Sequence, residues 1–393
     1  MNGALAVALD LGTTNIQGAL LDLDKKKIVS QKSILNEQVI LGDDVITRLG
    51  FAIRHTKNLS HLNRLMISSI NKLIKSLVQE KDPNRIRFIS AVGNSAIYHF
   101  TLNIDPSPLA LAPFKPSKKE LFTGPARRLG IRAGGDTIFE FLPIVDGFVG
   151  SDALAVIIAA NLHNKKEEIL AIDIGTNGEI IFARNGEIYV ASTAAGPAFE
   201  GWHISCGMQA RDGAVSSAEL KSGKLRLRVT GGGKVKGICG SGLIDVVAVM
   251  LDMGVLNASG RLQDDFVIYA DKRIKISVTQ EDIRQVQLAK GAIFAAVNIL
   301  MKHLNGGRIS KLILTGKFGL KLNKENLIKI KLIPDVGINN IEFLENGALQ
   351  GVNKFIFGGR KINEIDAILK KVIHVDLHKD KSFQDEFALA MRF

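Results

Sequence analysis

The sequence predicts an α/β protein built from two duplicated lobes. Its 393 residues are too many for one ordinary hydrophobic core and enough for two. Apolar runs of strand length alternate with stretches of helical spacing, which is typical of an α/β architecture. A motif made of an apolar run, an aspartate and a glycine–threonine turn occurs twice. We expect the lobes to span 1–163 and 164–393, because a charged stretch after His163 interrupts the apolar pattern.

The composition is that of a folded protein, with 46% hydrophobic and 23% charged residues. The apolar run from Met1 to Leu9 is short, has no basic leader and runs into Asp10, so neither a signal peptide nor a membrane span fits. The run Ala153 to Leu162 is also too short to cross a bilayer. We therefore expect a cytoplasmic protein without a membrane partner.

The net charge of +12 arises from 51 Lys and Arg residues against 39 Asp and Glu residues. The basic residues are scattered and aromatic residues are sparse near them, which favours solvated surface over nucleic-acid binding. Cys206 and Cys239 are the cysteines of the chain. Two cysteines exclude a disulfide framework and a four-cysteine cluster within one chain, although a cluster shared by a symmetric dimer needs only two per subunit.

The repeated motif reads as strand, tight turn, strand in both copies. The first copy places apolar runs at 5–9 and 16–21 around Asp10, and the second places them at 169–172 and 180–183. A glycine in the turn lets the backbone approach a ligand closely.

Phosphate binding needs backbone donors, small residues and hydroxyl groups, and hydrated Mg²⁺ needs a carboxylate. A single such turn is more often an ordinary hairpin, but two copies after two buried strands predict a phosphate site. We expect Asp10 and Asp173 to act catalytically and to hold Mg²⁺ through water. The residues expected to surround the phosphates are Gly12, Thr13, Thr14, Asn15, Gly175, Thr176, Asn177 and Gly178.

Further elements can be placed from local patterns. The predicted elements are a helix over 62–78, a strand over 86–92, a proline-rich surface loop over 106–116, a glycine turn over 237–242 that leads into a helix, and a strand over 312–314. Thr279 and Asp282 match a capping box at the start of a long core helix.

Asp152 has two interpretations. It is either a first-turn acid favoured by the dipole of the following helix, or a third catalytic carboxylate that positions water or metal. Glu179 and Glu200 leave the same two alternatives open, whereas His203 has no visible nucleophile or metal partner and is expected to be structural.

Nearly the whole chain, 5–393, resembles the ATPase domain of the reductive activators of corrinoid proteins, which belongs to the actin, sugar-kinase and heat-shock-70 (ASKHA) superfamily. The tracts that carry the resemblance are Ala8–Thr14, Gly42–Arg48, Val92–Asn94, Ile104–Leu109, Gly147–Gly150, Asp173–Ile180, Ser192–Gly201, Gly237–Asp245 and Gln287–Lys290. The resemblance implies duplicated actin/hexokinase-like lobes of the ribonuclease H type, with a nucleotide cleft between them.

The resemblance also implies ATP and Mg²⁺ as cofactors, a homodimer, and a corrinoid protein of a methyltransferase system as partner. In that family, ATP drives the return of inactive Co(II) corrinoid to Co(I). The additional nucleotide contacts that it implies are Gly196, Pro197, Gly316, Lys317, Phe318 and Gly319. The last four correspond to an adenosine motif that usually reads Gly-Gly-Phe-Gly, so Lys317 is a departure.

The family holds its iron–sulfur cluster in a separate domain, and the present sequence starts at the first phosphate strand. Activators of 2-hydroxyacyl-CoA dehydratases share a cluster across a dimer through a cysteine where this chain has Thr193. We therefore expect no iron–sulfur cluster here and a separate ferredoxin-type electron donor. Two alternatives remain. One is a non-redox ATP-binding module that holds or remodels a metalloprotein. The other is a small-molecule kinase of the same superfamily, although no sequence pattern indicates a sugar or carboxylate pocket.

Overall fold

The computed structural model describes residues 3–304, 307–316 and 322–393. It confirms the α/β class, with two six-stranded sheets of order β3-β2-β1-β4-β6-β5 and β16-β15-β7-β8-β9-β17. The strands are β1 Leu5–Leu11, β2 Asn15–Asp22, β3 Lys27–Leu35, β4 Ile86–Gly93, β5 Phe122–Pro125, β6 Ile138–Phe141, β7 Ile169–Ile174, β8 Asn177–Arg184, β9 Glu187–Ala194, β10 Ala214–Lys221, β11 Lys224–Val229, β12 Gly237–Ile238, β13 Phe266–Ala270, β14 Lys275–Val278, β15 Lys311–Gly316, β16 Ile341–Glu345 and β17 Val372–His374.

Helices fill the connections between the strands. They are α1 Val45–Arg54, α2 Thr56–Val78, α3 Ser95–Leu102, α4 Ser107–Ala110, α5 Ser151–Ala159, α6 Gly240–Asp252, α7 Gln280–His303, α8 Lys324–Lys329, α9 Gly347–Phe357, α10 Ile362–Leu369 and α11 Phe383–Ala390. Two smaller sheets have the orders β11-β10-β12 and β13-β14.

The chain divides into two compact units. The first unit comprises Met1–Lys166, Ala183–Val190 and Asn346–His374, and the second comprises Glu167–Phe182, Ala191–Glu345 and Val375–Phe393. Each unit has its own apolar strands and helices, as expected for a chain of this length.

In the first unit, β1 lies between β2 and β4 and is buried on both faces. It pairs antiparallel with β2, where Asp10 faces Gln17, and parallel with β4, where Asp10 faces Val92. Helix α2 covers this sheet because Leu62, Met66 and the apolar residues that follow at helical spacing face the core. The carboxyl end of β1 is thereby fixed beside the carboxyl end of β4.

The second unit repeats this arrangement around β7. Strand β15 runs parallel to β7, where Thr315 faces Asp173, and parallel to β16 on its other edge. Parallel strands have their carboxyl ends at one edge of a sheet, which is where ligands of α/β proteins bind. Asp173 and Gly316 therefore lie at the same edge.

Helix α7 begins with the predicted capping box, in which Thr279 and Asp282 exchange hydrogen bonds with each other's backbone N–H groups. Its buried face anchors the segment after α11. Gln287 Nε2 donates to the Met391 carbonyl at 2.8 Å, and Lys290 Nζ donates to the Ala390 carbonyl at 2.7 Å. Burial, with a smaller contribution from Lys331, lowers the pKa of Lys290 to about 7. The tract Gln287–Lys290 thus has an architectural role.

His99 is a fully buried residue of α3, and its Nδ1 lies 2.7 Å from the Ser95 carbonyl. This contact fits a neutral ring that donates from Nδ1. Burial lowers the pKa of His99 below its ordinary value of 6.5, although Ser95 and Asp105 oppose the shift. Protonation would place a charge in the core of the first unit.

We predict that His99 makes the fold sensitive to acid. Because its folded-state pKa is lowered, the unfolded chain binds more protons as the pH falls below about 6.5, and stability falls with it, by at most about 1.4 kcal/mol per pH unit for one proton. Urea unfolding of the wild type and of His99→Gln at pH 7.5 and 5.5 should show a smaller loss for the variant. Equal losses would contradict this role of His99.

Candidate functional site

The first predicted phosphate turn joins β1 to β2, in the strand, turn, strand order that the sequence predicts. Strand β1 ends at Leu11 and β2 begins at Asn15, so the glycine–threonine residues form the tight connection. Thr13 and Thr14 are buried, and Asp10 is half-buried at the end of its strand. The turn therefore presents its backbone and one carboxylate at the edge of the sheet.

Asn36 braces this turn from behind. Its side-chain Nδ2 donates to the Gly12 carbonyl at 3.0 Å, and its backbone N–H donates to the Thr14 carbonyl at 2.9 Å. Asn36 is fully buried. Because both bonds act on the turn, Asn36 fixes its conformation, and no local sequence signal identified this residue.

A second layer of polar residues supports Asn36. Its Oδ1 accepts from the Gln38 N–H at 3.0 Å, and Gln38 Oε1 accepts from Arg48 Nη1 at 3.3 Å. Arg48 Nε also donates to the Gly42 carbonyl at 2.8 Å. Burial lowers the pKa of the fully buried Arg48 to about 10, against the raising effects of Asp44 and then Asp43. The tract Gly42–Arg48 is thus connected to the turn through hydrogen bonds.

Asn94 connects the turn to α3. Its Nδ2 donates to Thr13 Oγ1 at 2.9 Å, while its Oδ1 accepts from the Ile97 N–H at 3.0 Å and caps the helix. An asparagine that caps one element and bonds to another fixes their relative position. This contact explains why an asparagine is suited to the end of the tract Val92–Asn94, which is one of the tracts that carry the resemblance.

Asp152 lies beside Asp10, which brings together two of the three predicted catalytic carboxylates. A Cβ atom at Gly150 would overlap the Gly93 carbonyl, so only glycine lets the start of α5 reach the end of β4. Asp152 Oδ1 accepts from the Ala153 N–H at 2.9 Å. Burial raises the pKa of Asp152 to about 7, and the charge of Asp10 adds to the rise. Asp152 is therefore both a first-turn acid and a neighbour of Asp10.

The second phosphate turn lies after β7. The Gly175 N–H donates to the Asn177 carbonyl at 3.1 Å, and the Gly196 N–H donates to the Thr176 carbonyl at 2.9 Å. Thr176 Oγ1 donates to Glu200 Oε1 at 2.7 Å. Glu200 therefore contacts the turn through a hydroxyl group that the sequence predicts to bind phosphate.

Several other predicted residues occupy defined positions in the second unit. Pro197 follows Gly196, and its carbonyl accepts from the Glu200 N–H at 2.9 Å. Gly178 packs beside Ile293 and Thr193. Gly316, at φ 117°, leaves no space for a Cβ atom beside the Ile174 carbonyl. The predicted contacts Lys317, Phe318 and Gly319 lie outside the described residues.

A small recess lies at the carboxyl ends of three parallel strands of the second unit, β7, β15 and β16. It is lined by Ile174, Leu314, Thr315, Leu322, Phe343, Leu344 and Glu345. Its walls are mostly apolar, with one hydroxyl and one carboxylate.

The carboxylates suit a hydrated ion better than a fully protein-ligated one. Within the described ranges, no group of three or more His, Cys, Asp or Glu side chains converges on a metal position. Magnesium commonly keeps several waters and needs only one or two carboxylates, and Asp10 can provide one. Cys239 is buried and donates to the Val215 carbonyl at 3.3 Å, whereas Cys206 is half-buried. Among the described helices, none is long and apolar enough to span a bilayer.

The two aspartate-containing turns, each between paired strands of its own sheet, define an ASKHA-type fold. The family models agree: residues 5–165 match the RACo middle region, and residues 167–393 match the C-terminal domain of RACo, the ASKHA domain. The chain therefore belongs to the RACo family, which confirms the resemblance seen in the sequence.

The chain is also similar to three named proteins. It is 29% identical to "Corrinoid activation enzyme RamQ" of Eubacterium limosum, covering 98% of this chain and 70% of that protein. It is 23% identical to the "[Co(II) methylated amine-specific corrinoid protein] reductase" of Methanosarcina barkeri, covering 98% and 76%. A solved "Reductive activator for corrinoid,iron-sulfur protein" matches with a TM-score of 0.93 at 31% identity, covering 100% of this chain and 66% of that one.

Removal of the Asn36 amide tests the brace of the first turn. We predict that Asn36→Ala weakens MgATP binding by roughly tenfold, because the turn loses a buried hydrogen bond to Gly12. Calorimetric titration measures the affinity, and circular dichroism checks that the variant folds. Asn71→Ala is the matched control, since Asn71 Nδ2 donates to the Gly130 carbonyl at 3.0 Å elsewhere in the same unit. If Asn36→Ala and Asn71→Ala bind MgATP with equal affinity, the proposed role of Asn36 in supporting the turn is refuted.

Proposed function

We propose that this chain binds MgATP through its two phosphate turns. The first turn, Gly12 to Asn15, and the second, Gly175 to Gly178, supply backbone donors and hydroxyl groups to the phosphates. Asp10 and Asp173 hold Mg²⁺ through its waters. The observation that carries the proposal is that both turns follow buried strands whose next-to-last residue is an aspartate.

Asp152 is the third functional carboxylate in this proposal. Its raised pKa, caused first by burial and then by Asp10, suits a group that accepts a proton from an attacking water. Glu200, through Thr176, positions the second turn. Gly196, Pro197 and Gly316, together with the recess beside β15, receive the nucleoside, and Lys317, Phe318 and Gly319 complete the expected adenosine motif.

We further propose that the protein is an ATP-dependent activator of a corrinoid protein of a methyltransferase system. The reaction adds one electron to Co(II) and gives Co(I), and the electron comes from a separate ferredoxin-type donor. Family membership and the named activities of the relatives support this function. The homodimer expected from the resemblance is part of the same proposal.

ATP can assist the reduction through binding energy. If the activator prefers the partner state in which a cobalt ligand is displaced, that state becomes more populated and the cobalt easier to reduce. About 1.4 kcal/mol of differential binding shifts the population tenfold. The chain's two cysteine thiols are not a strongly reducing one-electron centre, so the donor remains necessary.

The magnesium roles are tested by charge removal. We predict that Asp10→Asn and Asp173→Asn each lower the affinity for ATP by more than about tenfold with Mg²⁺ present and much less with the metal chelated. The control is Asp366→Asn, which changes the net charge equally on the exposed surface of α10. Calorimetry that finds wild-type MgATP affinity in both site variants would exclude the assigned site.

The activation itself is tested by spectroscopy. A purified Co(II) corrinoid protein of a methylated-amine methyltransferase system is mixed with the chain, and ATP and reduced ferredoxin are added separately and together. We predict that the Co(I) absorption spectrum develops only when both are present. Co(I) formation without added reductant would refute the separate donor. Binding without any reduction would favour a non-redox module, and no response would favour a kinase.

A further inference from the structure

Positive charge is concentrated in one small part of the second unit. The segment 219–236 contains six Lys and Arg residues and one Glu, so it carries +5 of the net +12 of the chain. Most of this segment is the hairpin of β10 and β11, which belongs to the three-stranded sheet β11-β10-β12. The stretch 115–132 of the first unit has the same length and the same charge, and there Lys115 forms an ion pair with Asp146. The hairpin differs from that stretch because its charges are paired in a regular register across two strands.

The register of the hairpin puts its charges on one face. In the antiparallel pair, Lys221 faces Lys224, Glu219 faces Arg226 and Ser217 faces Arg228, and directly opposite residues share a face. Lys224, Arg226 and Arg228 are exposed, whereas the intervening Leu225, Leu227 and Val229 are half-buried on the other face. We call Lys221, Lys224, Arg226 and Arg228 the basic ladder.

The basic ladder keeps a net positive charge, although Glu219 faces Arg226 on the same side of the hairpin. Within the described part of the chain, none of its four cations forms an ion pair with a carboxylate. Lys221 and Lys224 also lie directly opposite each other across a two-residue turn, and like charges in that position are destabilising. This pairing therefore does not stabilise the hairpin, and a binding role would account for it.

Packing and hydrogen bonds from a neighbouring helix hold the hairpin in place. Helix α6 packs against β10. From α6, Ser241 Oγ donates to the Ser216 carbonyl at 2.8 Å, and Asp245 Oδ2 accepts from the Ala218 N–H at 3.2 Å. Strand β11 is the outer strand of its sheet. The ladder therefore lies at the edge of a sheet that hydrogen bonds to α6 hold in place.

We propose that the basic ladder docks an acidic surface of the corrinoid protein that this chain activates; the inference rests on the proposed function and names the surface that its partner contacts. Charge complementarity identifies the partner's chemistry as clustered Asp and Glu side chains. A protein fits better than a nucleic acid. Neither strand of the hairpin carries an aromatic side chain on which bases could stack.

The test compares two charge-reversal variants of the full chain. Arg226→Glu/Arg228→Glu changes the ladder, and Lys25→Glu/Lys27→Glu makes the same change in net charge on an exposed hairpin of the first unit. The probe is the Co(II) corrinoid protein of a methylated-amine methyltransferase system, titrated at low and high salt. We expect the ladder variant to bind it roughly tenfold more weakly at low salt, with a shallower salt dependence, whereas the control stays near the wild type. MgATP affinity should be unchanged in both.

The outcomes separate this inference from the proposed function. If the wild type activates the corrinoid protein and the ladder variant binds it as well as the control does, only the docking surface is refuted. If the wild type neither binds nor activates it, both are refuted. A parallel titration with a DNA duplex decides the partner class: loss of DNA binding alone in the ladder variant would assign the surface to nucleic acid and overturn the proposal.

Discussion

The constraint on which the structure depends is that each central strand is buried on both faces and has an aspartate as its next-to-last residue. Residues along β1 and β7 are enclosed by neighbouring strands and helices, so a charge along their length would be costly. Only the next-to-last positions reach solvent: Asp10 and Asp173 are half-buried, whereas the final residues of the two strands are buried. The proposed chemistry therefore lies near the ends of the strands, where a glycine–threonine turn provides backbone donors at close range.

The turns were predictable because all their determinants are local: an apolar run, an aspartate and small residues in sequence. The capping box of α7 was predictable for the same reason. Asn36 and Asn94 were not, because they reach Gly12 and Thr13 from 24 and 81 positions away in the sequence. The expected proline-rich surface loop also contains the short helix α4 with buried Leu109, because a tertiary contact outweighs local composition there.

Two tracts of the resemblance are explained by polar groups that the fold buries. A buried cation is stable only when its donors find acceptors, and both Arg48 and Lys290 find them in backbone carbonyls. Arg48 supports the first turn through Gln38, whereas Lys290 secures the segment after α11. Arg48 is satisfied only in part, because its buried Nη2 has no hydrogen-bond partner among the described residues.

Hydrogen bonds in the second unit connect the second turn to the basic ladder. After Glu200, the chain passes Gly201 and His203, both at positive φ, and Ser205 bonds to Asp282 at the start of α7. The backbone of 206–208 then exchanges hydrogen bonds with Ile238 of β12, which pairs with β10. Coupling between sites requires an element with two arrangements, in addition to contiguity. Because this segment bonds to Thr176 at one end and to the ladder's sheet at the other, a change in its conformation would act on both.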